Sequence, residues 1–136
     1  MNMNRIFQSI LFIPLLLFVS CHPGVVVELQ NNSGEDLVVV DIYPNGQEET
    51  YRIKKNRVLH MGVPSRLRVE HIHGKWSYEH SSIPMEFEKR KNSMISVISL
   101  QIEKDGTIYV LPPGAKGPAG DLPAQPPGYP LRPKQT

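Results

Sequence analysis

Apolar and polar residues alternate along most of the middle of the chain. Between positions 25 and 111, apolar side chains recur mostly at every second residue, as where Met85 and Phe87 alternate with Glu86 and Glu88. A period of two places successive side chains on opposite faces of a β-strand, whereas an amphipathic helix has a period near 3.6. The pattern predicts strands at 25–29, 37–43, 49–53, 57–61, 66–71, 75–80, 85–89, 94–102 and 107–111.

The segments between these predicted strands are short and contain turn-forming residues. Asn, Asp or Gly occurs in each of the segments 32–34, 44–46, 74–75 and 105–106, and these residues adopt positive φ at low cost. Parallel neighbours need a crossover of about a dozen residues, so short connections predict antiparallel neighbours. We expect an all-β domain at 25–111, either a small antiparallel β-sandwich of immunoglobulin-like or transthyretin-like layout or a small barrel. Alternation places the following residues in its core: Leu37, Val39, Ile53, Leu67, Val69, Ile98 and Leu100.

The first twenty residues have a different pattern. Arg5 is their only charged side chain, and an apolar run follows at 10–19. This run is shorter than the roughly 20 apolar residues that cross a bilayer, so it predicts a signal peptide at 1–20 rather than a membrane span. The chain's single cysteine, Cys21, comes next and has no second cysteine with which to form an internal disulfide.

The stretch Phe18-Val19-Ser20-Cys21 resembles the lipobox of bacterial lipoproteins, although Phe18 stands where that family prefers leucine. The resemblance covers the leader only. It implies cleavage before Cys21 and acylation of its thiol and new amino terminus, palmitate included, with 21–24 as a lipidated linker. Several acyl chains give durable anchoring. By the family's sorting pattern, His22 rather than aspartate after the cysteine implies the outer membrane. The alternative is ordinary signal cleavage after Cys21, because Val19 and Cys21 are small.

The segment 112–136 differs again from the middle of the chain. It holds 8 of the 13 prolines and 4 of the 10 glycines, and its only large apolar side chains are Leu122, Tyr129 and Leu131. Such a segment buries too little apolar surface to offset the entropy of ordering it. We expect a disordered tail that acts as a solvated spacer or, around Tyr129 and Arg132, as a polyproline ligand.

Charge and motifs argue against several classes of function. The 15 basic and 13 acidic residues give a net charge of +2 and are interspersed, without the one-sided excess that nucleic-acid binding requires. The sequence has no Gly-x-Ser-x-Gly, no His-Glu-x-x-His and no phosphate-binding glycine loop. We therefore expect neither an enzyme, nor a cofactor, nor a nucleic-acid partner.

Four residues form a candidate protein-binding patch. Trp76 and Tyr78 are two positions apart and share one strand face, and tryptophan and tyrosine dominate binding hot spots. Partial exposure beside Arg66 and Arg68 would favour recognition of a partner. The alternative is that the aromatic pair packs in the core or against a neighbouring strand.

His71 and His73 are also two positions apart and are weak candidates for metal ligands. No cysteine or carboxylate pattern completes a site, so a solvated strand face is the alternative. Two basic clusters, at 54–57 and at 89–91, are expected in or beside turns. They are either simply solvated or face a membrane, where each cation near anionic lipid adds about 1 kcal/mol to anchoring.

Together these features predict a non-catalytic envelope lipoprotein, anchored by lipid on Cys21 to the outer membrane and facing the periplasm. Its β-sandwich would bind an envelope protein or have a structural role. One alternative is a periplasmic inhibitor or immunity protein directed against a cell-wall enzyme or a toxin. Another is an assembly lipoprotein of a secretion system.

Overall fold

The computed structural model describes residues 24–79, 84–92, 94–112, 115, 122 and 124–135. Cys21, the predicted signal peptide at 1–20 and the first three residues of the predicted linker at 21–24 lie outside the described residues, whereas Gly24 is already part of the first strand. The described chain is all β apart from one 3-10 turn at Met85–Phe87. Its strands are β1 Gly24–Asn31, β2 Leu37–Ile42, β3 Glu48–Ile53, β4 Val58–Met61, β5 Leu67–His71, β6 Gly74–Tyr78, β7 Lys89–Arg90, β8 Ile95–Ile102, β9 Ile108–Leu111 and β10 Lys134–Gln135.

These strands form two sheets. In the first, β4, β1 and β8 are neighbours in that order, and β7 and β9 pair with the first and second halves of β8. In the second, the order is β10, β6, β5, β2 and β3. The inner faces of the two sheets enclose one apolar core, and neither sheet closes into a barrel. The predicted all-β sandwich is confirmed.

One pairing differs from the antiparallel arrangement expected from the short connections. β1 and β8 run parallel over their whole length, from Gly24 opposite Ile95 to Asn31 opposite Ile102. The other pairings of named strands are antiparallel. Strands β2 to β7 separate β1 from β8, so the connection is long enough for a parallel crossover. Short connections require antiparallel pairing only between strands that are consecutive in the chain.

The core lies where the alternation predicts it. All seven predicted core residues are buried, and Val27, Leu29, Ile102, Ile108 and Val110 join them from the first sheet. Each large aliphatic side chain removed from water contributes about 1.5–3 kcal/mol before entropy is subtracted. The period of two therefore identified the inward face of β2, β3, β5 and β8.

The predicted strand at 85–89 is wrong. Met85–Phe87 forms a 3-10 turn in which the Phe87 N–H donates to the Pro84 carbonyl oxygen at 3.0 Å, and only Lys89–Arg90 is extended. Pro84 favours this turn because its ring fixes φ near −65°. Phe87 is half-buried against the core, so its apolar character reflects packing from a turn rather than a strand face.

The expectation of a disordered tail is wrong for residues 124–135. The segment 125–135, here called the C-terminal strap, lies along two sheet edges. The Gln125 side-chain amide bonds both backbone groups of Val110, and Leu131 and Ile108 exchange two backbone hydrogen bonds of 2.9 Å. β10 then pairs with β6. Apolar side chains alone do not account for the order of this segment, because its backbone groups also bond to the strands beside it. The partly buried Tyr129 and Leu131 pack on the core.

The sandwich has two distinguishable ends. At the proximal end, β1 begins at Gly24, beside Met94 and Ile95. The distal end contains the turns at 32–36, 54–57, 72–73 and 103–107, which are linked by contacts such as Asn56 N–H to the Asn31 carbonyl oxygen at 2.9 Å. Eight residues of β1 separate the two ends by roughly 26 Å. No helix in the described part of the chain is long and apolar enough to cross a membrane.

Candidate functional site

The predicted patch of Trp76, Tyr78, Arg66 and Arg68 does not form. Trp76 and Tyr78 are each only 4% exposed and belong to the core. The register explains this, because Trp76 lies opposite Val69 and Tyr78 opposite Leu67, both on the inner face of the second sheet. Arg68 pairs instead with Ser77 and therefore points to the outer face. The core-packing alternative holds for the aromatic pair.

Arg68 belongs to a row of charges on the outer face of the second sheet. Its two terminal nitrogens donate to the Glu48 carboxylate at 3.1 and 3.0 Å, and Glu70 is 3.5 Å from its Nε. The hydrogen bonds to Glu48 raise the pKa of Arg68. Lys75 also contacts Glu70, at 3.3 Å, while Arg66 is exposed. The positive charges of Arg68 and Lys75 are therefore already neutralised by carboxylates. We interpret the row as a solvated face rather than as a binding patch.

A different feature of β5 and β6 is exposed, namely the tip of the hairpin that joins them. His71 pairs with Gly74 across a two-residue turn, and Ile72 in that turn is 80% exposed. Burial of an isoleucine side chain by a partner contributes about 1.5–3 kcal/mol. The sequence carried a signal for this residue. Ile72 follows Arg66, Arg68 and Glu70 in the outward series of β5, where an apolar residue breaks the alternation.

The hairpin tip is held in place by contacts that lead back to the core. The Ile72 N–H donates to Glu35 Oε2 at 3.3 Å, and the other oxygen of Glu35 is 3.6 Å from His71 Nδ1. The His71 ring stacks on Trp76 with centroids 4.0 Å apart and planes 19° apart. The exposed isoleucine is therefore presented on a backbone that is fixed by a neighbouring loop and by the core.

The two histidines of this hairpin contact each other but do not complete a metal site. Their ring centroids are 6.2 Å apart in an edge-on arrangement, and the His73 N–H approaches His71 Nδ1 at 3.4 Å. Within the described part of the chain, no group of three or more potential ligands could hold a metal ion. His71 acts here as a packing residue that links Glu35 to Trp76.

A second surface feature is a groove of about 370 Å³ on the outer face of the first sheet. Phe87, Val97 and Leu111 supply apolar walls, Lys89 lies on one rim, and Glu28 lies in the groove with His60 at 3.1 Å from its carboxylate. Both signs of charge border the groove. The lining of the groove therefore does not indicate one chemical class of ligand, whereas the exposed hairpin tip indicates an apolar contact.

Carboxylates and tyrosines meet on the inner face near the proximal end. Asp41 is buried opposite Glu49, and burial, followed by the charge of Glu49, raises the pKa of Asp41. Tyr43 donates to Glu49 at 2.6 Å, and this bond lowers the pKa of Glu49. Burial raises the pKa of Tyr51 to about 12. Asp41 also accepts the Ser65 N–H at 3.2 Å, so the cluster fixes the connection between β4 and β5.

Comparison of the chain with protein-family models, with curated proteins and with solved structures finds no match. Function is therefore inferred from the chain's own residues and their arrangement.

Proposed function

We propose that this chain is a bacterial outer-membrane lipoprotein, anchored through lipid on Cys21, whose periplasmic β-sandwich presents the hairpin tip at Ile72 to a protein partner. The observation that carries the proposal is the position of this fixed, exposed isoleucine. Ile72 lies at the distal end of the sandwich, and Gly24, which follows the lipobox-like stretch, lies at the proximal end.

The dimensions of the domain suit this role. Three Cα–Cα steps separate Cys21 from Gly24 and span at most about 11 Å. The β1 strand then places the distal end roughly 26 Å further along. A lipid on Cys21 thus holds the proximal end close to the bilayer and leaves the hairpin tip accessible to a periplasmic protein.

Binding rather than catalysis is the proposed activity. The sequence has none of the nucleophile, metal or phosphate-loop motifs noted above, and the fixed tip is of the kind that protein interfaces use. A preorganised loop loses little conformational entropy on association. An exposed apolar anchor gains from burial at the centre of an interface.

A second candidate function is favoured by the same fixed backbone. An inhibitor or immunity protein must insert a loop that keeps its shape inside the target, and the bond from Ile72 to Glu35 provides such a loop. An assembly lipoprotein of a secretion system would differ only in the identity of the partner. Protection of cells from a cell-wall hydrolase or toxin by this protein, lost on Ile72→Asp, would identify the inhibitory role.

The anchor is tested by mass spectrometry of the protein purified from bacterial membranes. We expect a mature chain that starts at an acylated Cys21, and a Cys21→Ala variant that is released from the membrane fraction. A mature chain that starts at an unmodified His22 would contradict the proposal.

The hairpin tip is tested by photo-crosslinking in living cells. A photoreactive amino acid at position 72 should give a discrete adduct with one protein. The same residue at Asn45, in an exposed turn at the proximal end, is the matched control and should not give that adduct. Identical adducts from positions 72 and 45, or none from position 72, would count against the tip as the binding surface.

A further inference from the structure

The two basic clusters of the chain lie at opposite ends of the sandwich. Lys54, Lys55 and Arg57 surround the distal turn that bonds to Asn31. Lys89, Arg90 and Lys91 lie at the proximal end, where the Lys91 N–H donates to the Ile95 carbonyl oxygen at 2.9 Å. The fold therefore supplies two similar groups of three cations, of which only the second is close to the start of β1.

The second group lies beside an exposed apolar side chain. Lys89, Arg90 and Lys91 are all exposed, and Met94 in the following turn is 62% exposed. Two acidic residues, Glu86 and Glu88, precede these cations in the sequence. Glu88 bonds the hydroxyl of the buried Ser96, whereas Glu86 is exposed and offsets part of the positive charge. Cations around an apolar side chain are the composition that attracts a protein surface to anionic lipid.

The path of the chain keeps this corner close to Cys21. The Gly24 N–H donates to the Met94 carbonyl oxygen at 2.8 Å, so the first described residue is bonded to the corner itself. Cys21 is at most about 11 Å from Gly24 along the chain. Lipid on Cys21 would therefore hold this corner next to the headgroups, where cations within about one Debye length, roughly 8 Å at physiological salt, are attracted to anionic lipid.

We propose that Lys89, Arg90, Lys91 and Met94 form a membrane-docking surface for acidic phospholipids, which fixes the orientation of the anchored domain. This inference rests on the lipid anchor of the proposed function. A lipid on one residue does not by itself fix the rotation of the domain against the bilayer. A second contact at the proximal corner holds Ile72 away from the lipid, facing its partner.

The experiment uses the acylated protein as isolated from membranes, reconstituted in nanodiscs of phosphatidylcholine with or without phosphatidylglycerol. Hydroxyl-radical footprinting reads the oxidation rate of Met94. Each cation near the headgroups strengthens the contact by roughly fivefold, since about 1 kcal/mol corresponds to that factor. We expect Met94 oxidation to fall at least fivefold in discs that contain phosphatidylglycerol.

Two matched triple variants separate local contact from general charge. K89Q/R90Q/K91Q should abolish the protection of Met94, whereas K54Q/K55Q/R57Q should retain it. Equal oxidation in the two lipids, or equal loss of protection in the two variants, would overturn the docking surface while the anchor stands. A mature protein without acyl mass on Cys21 would overturn the anchor and this inference together.

Discussion

Gly106 offers a sharp test of how the sandwich is closed, because its missing side chain is what lets a turn approach Trp76. It lies in the turn between β8 and β9 with φ of +80°. A Cβ added there would be 2.7 and 2.8 Å from two Trp76 ring atoms and 3.0 Å from Pro133 of the C-terminal strap. Its carbonyl oxygen accepts the Tyr78 hydroxyl at 2.6 Å, which fixes the turn against the core.

Two costs add for Gly106→Ala. An alanine held at positive φ costs about 1–2 kcal/mol. Overpacking against a buried ring costs about 1–3 kcal/mol more, because Trp76 is also stacked on His71 and has little room to move. The free energy of unfolding should therefore fall by about 2–5 kcal/mol. Small domains have only about 5–15 kcal/mol in total.

Urea unfolding followed by the fluorescence of Trp76, the only tryptophan, measures this loss. Gly46→Ala is the matched control, since Gly46 has φ of +84° but no contact within 4 Å among the described atoms beyond its chain neighbours. In the control, the free energy of unfolding should fall only by the cost of alanine at positive φ, about 1–2 kcal/mol. Equal losses in the two variants would refute the packing of the turn against Trp76.

Three further predictions concern the strap and the buried polar groups. Leu131→Ala should lower the free energy of unfolding by about 1–2 kcal/mol, since this side chain is only partly buried. Arg132→Ala, at an exposed position, is the control and should change it by less than about 0.5 kcal/mol. Equal urea midpoints for the two variants would contradict a packed strap. Tyr78→Phe removes the bond to Gly106 and should cost about 1 kcal/mol in the same assay. The raised pKa of Asp41 means that folding disfavours its charged form, so this residue stabilises the fold at low pH and loses that effect as pH rises through its folded pKa. Asp41→Asn should therefore raise the melting temperature at pH 7 but not at pH 3, and a constant difference between the two pH values would contradict this assignment.

Local pattern accounts for much of the fold. Alternation assigned Leu37, Val39 and Ile98 to the inner face, and eight of the nine predicted strand segments correspond to strands of the structure. These assignments succeed because a strand with one buried face must repeat with period two. The exception at 85–89 has the same pattern, but Pro84 begins a turn there.

Features that depend on residues distant in sequence could not be predicted from local alternation. Nothing in the spacing of Trp76 indicates whether its face is covered, and only the register with Val69 places it inside. The order of the strap could not be predicted either, because Gln125 holds the strap through Val110, a residue distant in sequence. For the candidate site, the sequence analysis missed Ile72, whose only signal was a break in the alternation, and its support from Glu35 depends on a loop more than thirty residues earlier.

The parallel pairing of β1 with β8 has a consequence for the order in which the protein is made. β1 precedes the other described strands, its longest partner β8 follows β2 to β7, and the edges of β6 and β9 are covered by residues that are synthesised later still. Contacts between such distant segments form slowly, since loop closure precedes any gain. A ribosome-bound chain cannot complete either sheet until these later segments have emerged. We therefore expect the emerging polypeptide to lack a complete sandwich until β8 and the C-terminal strap have been synthesised.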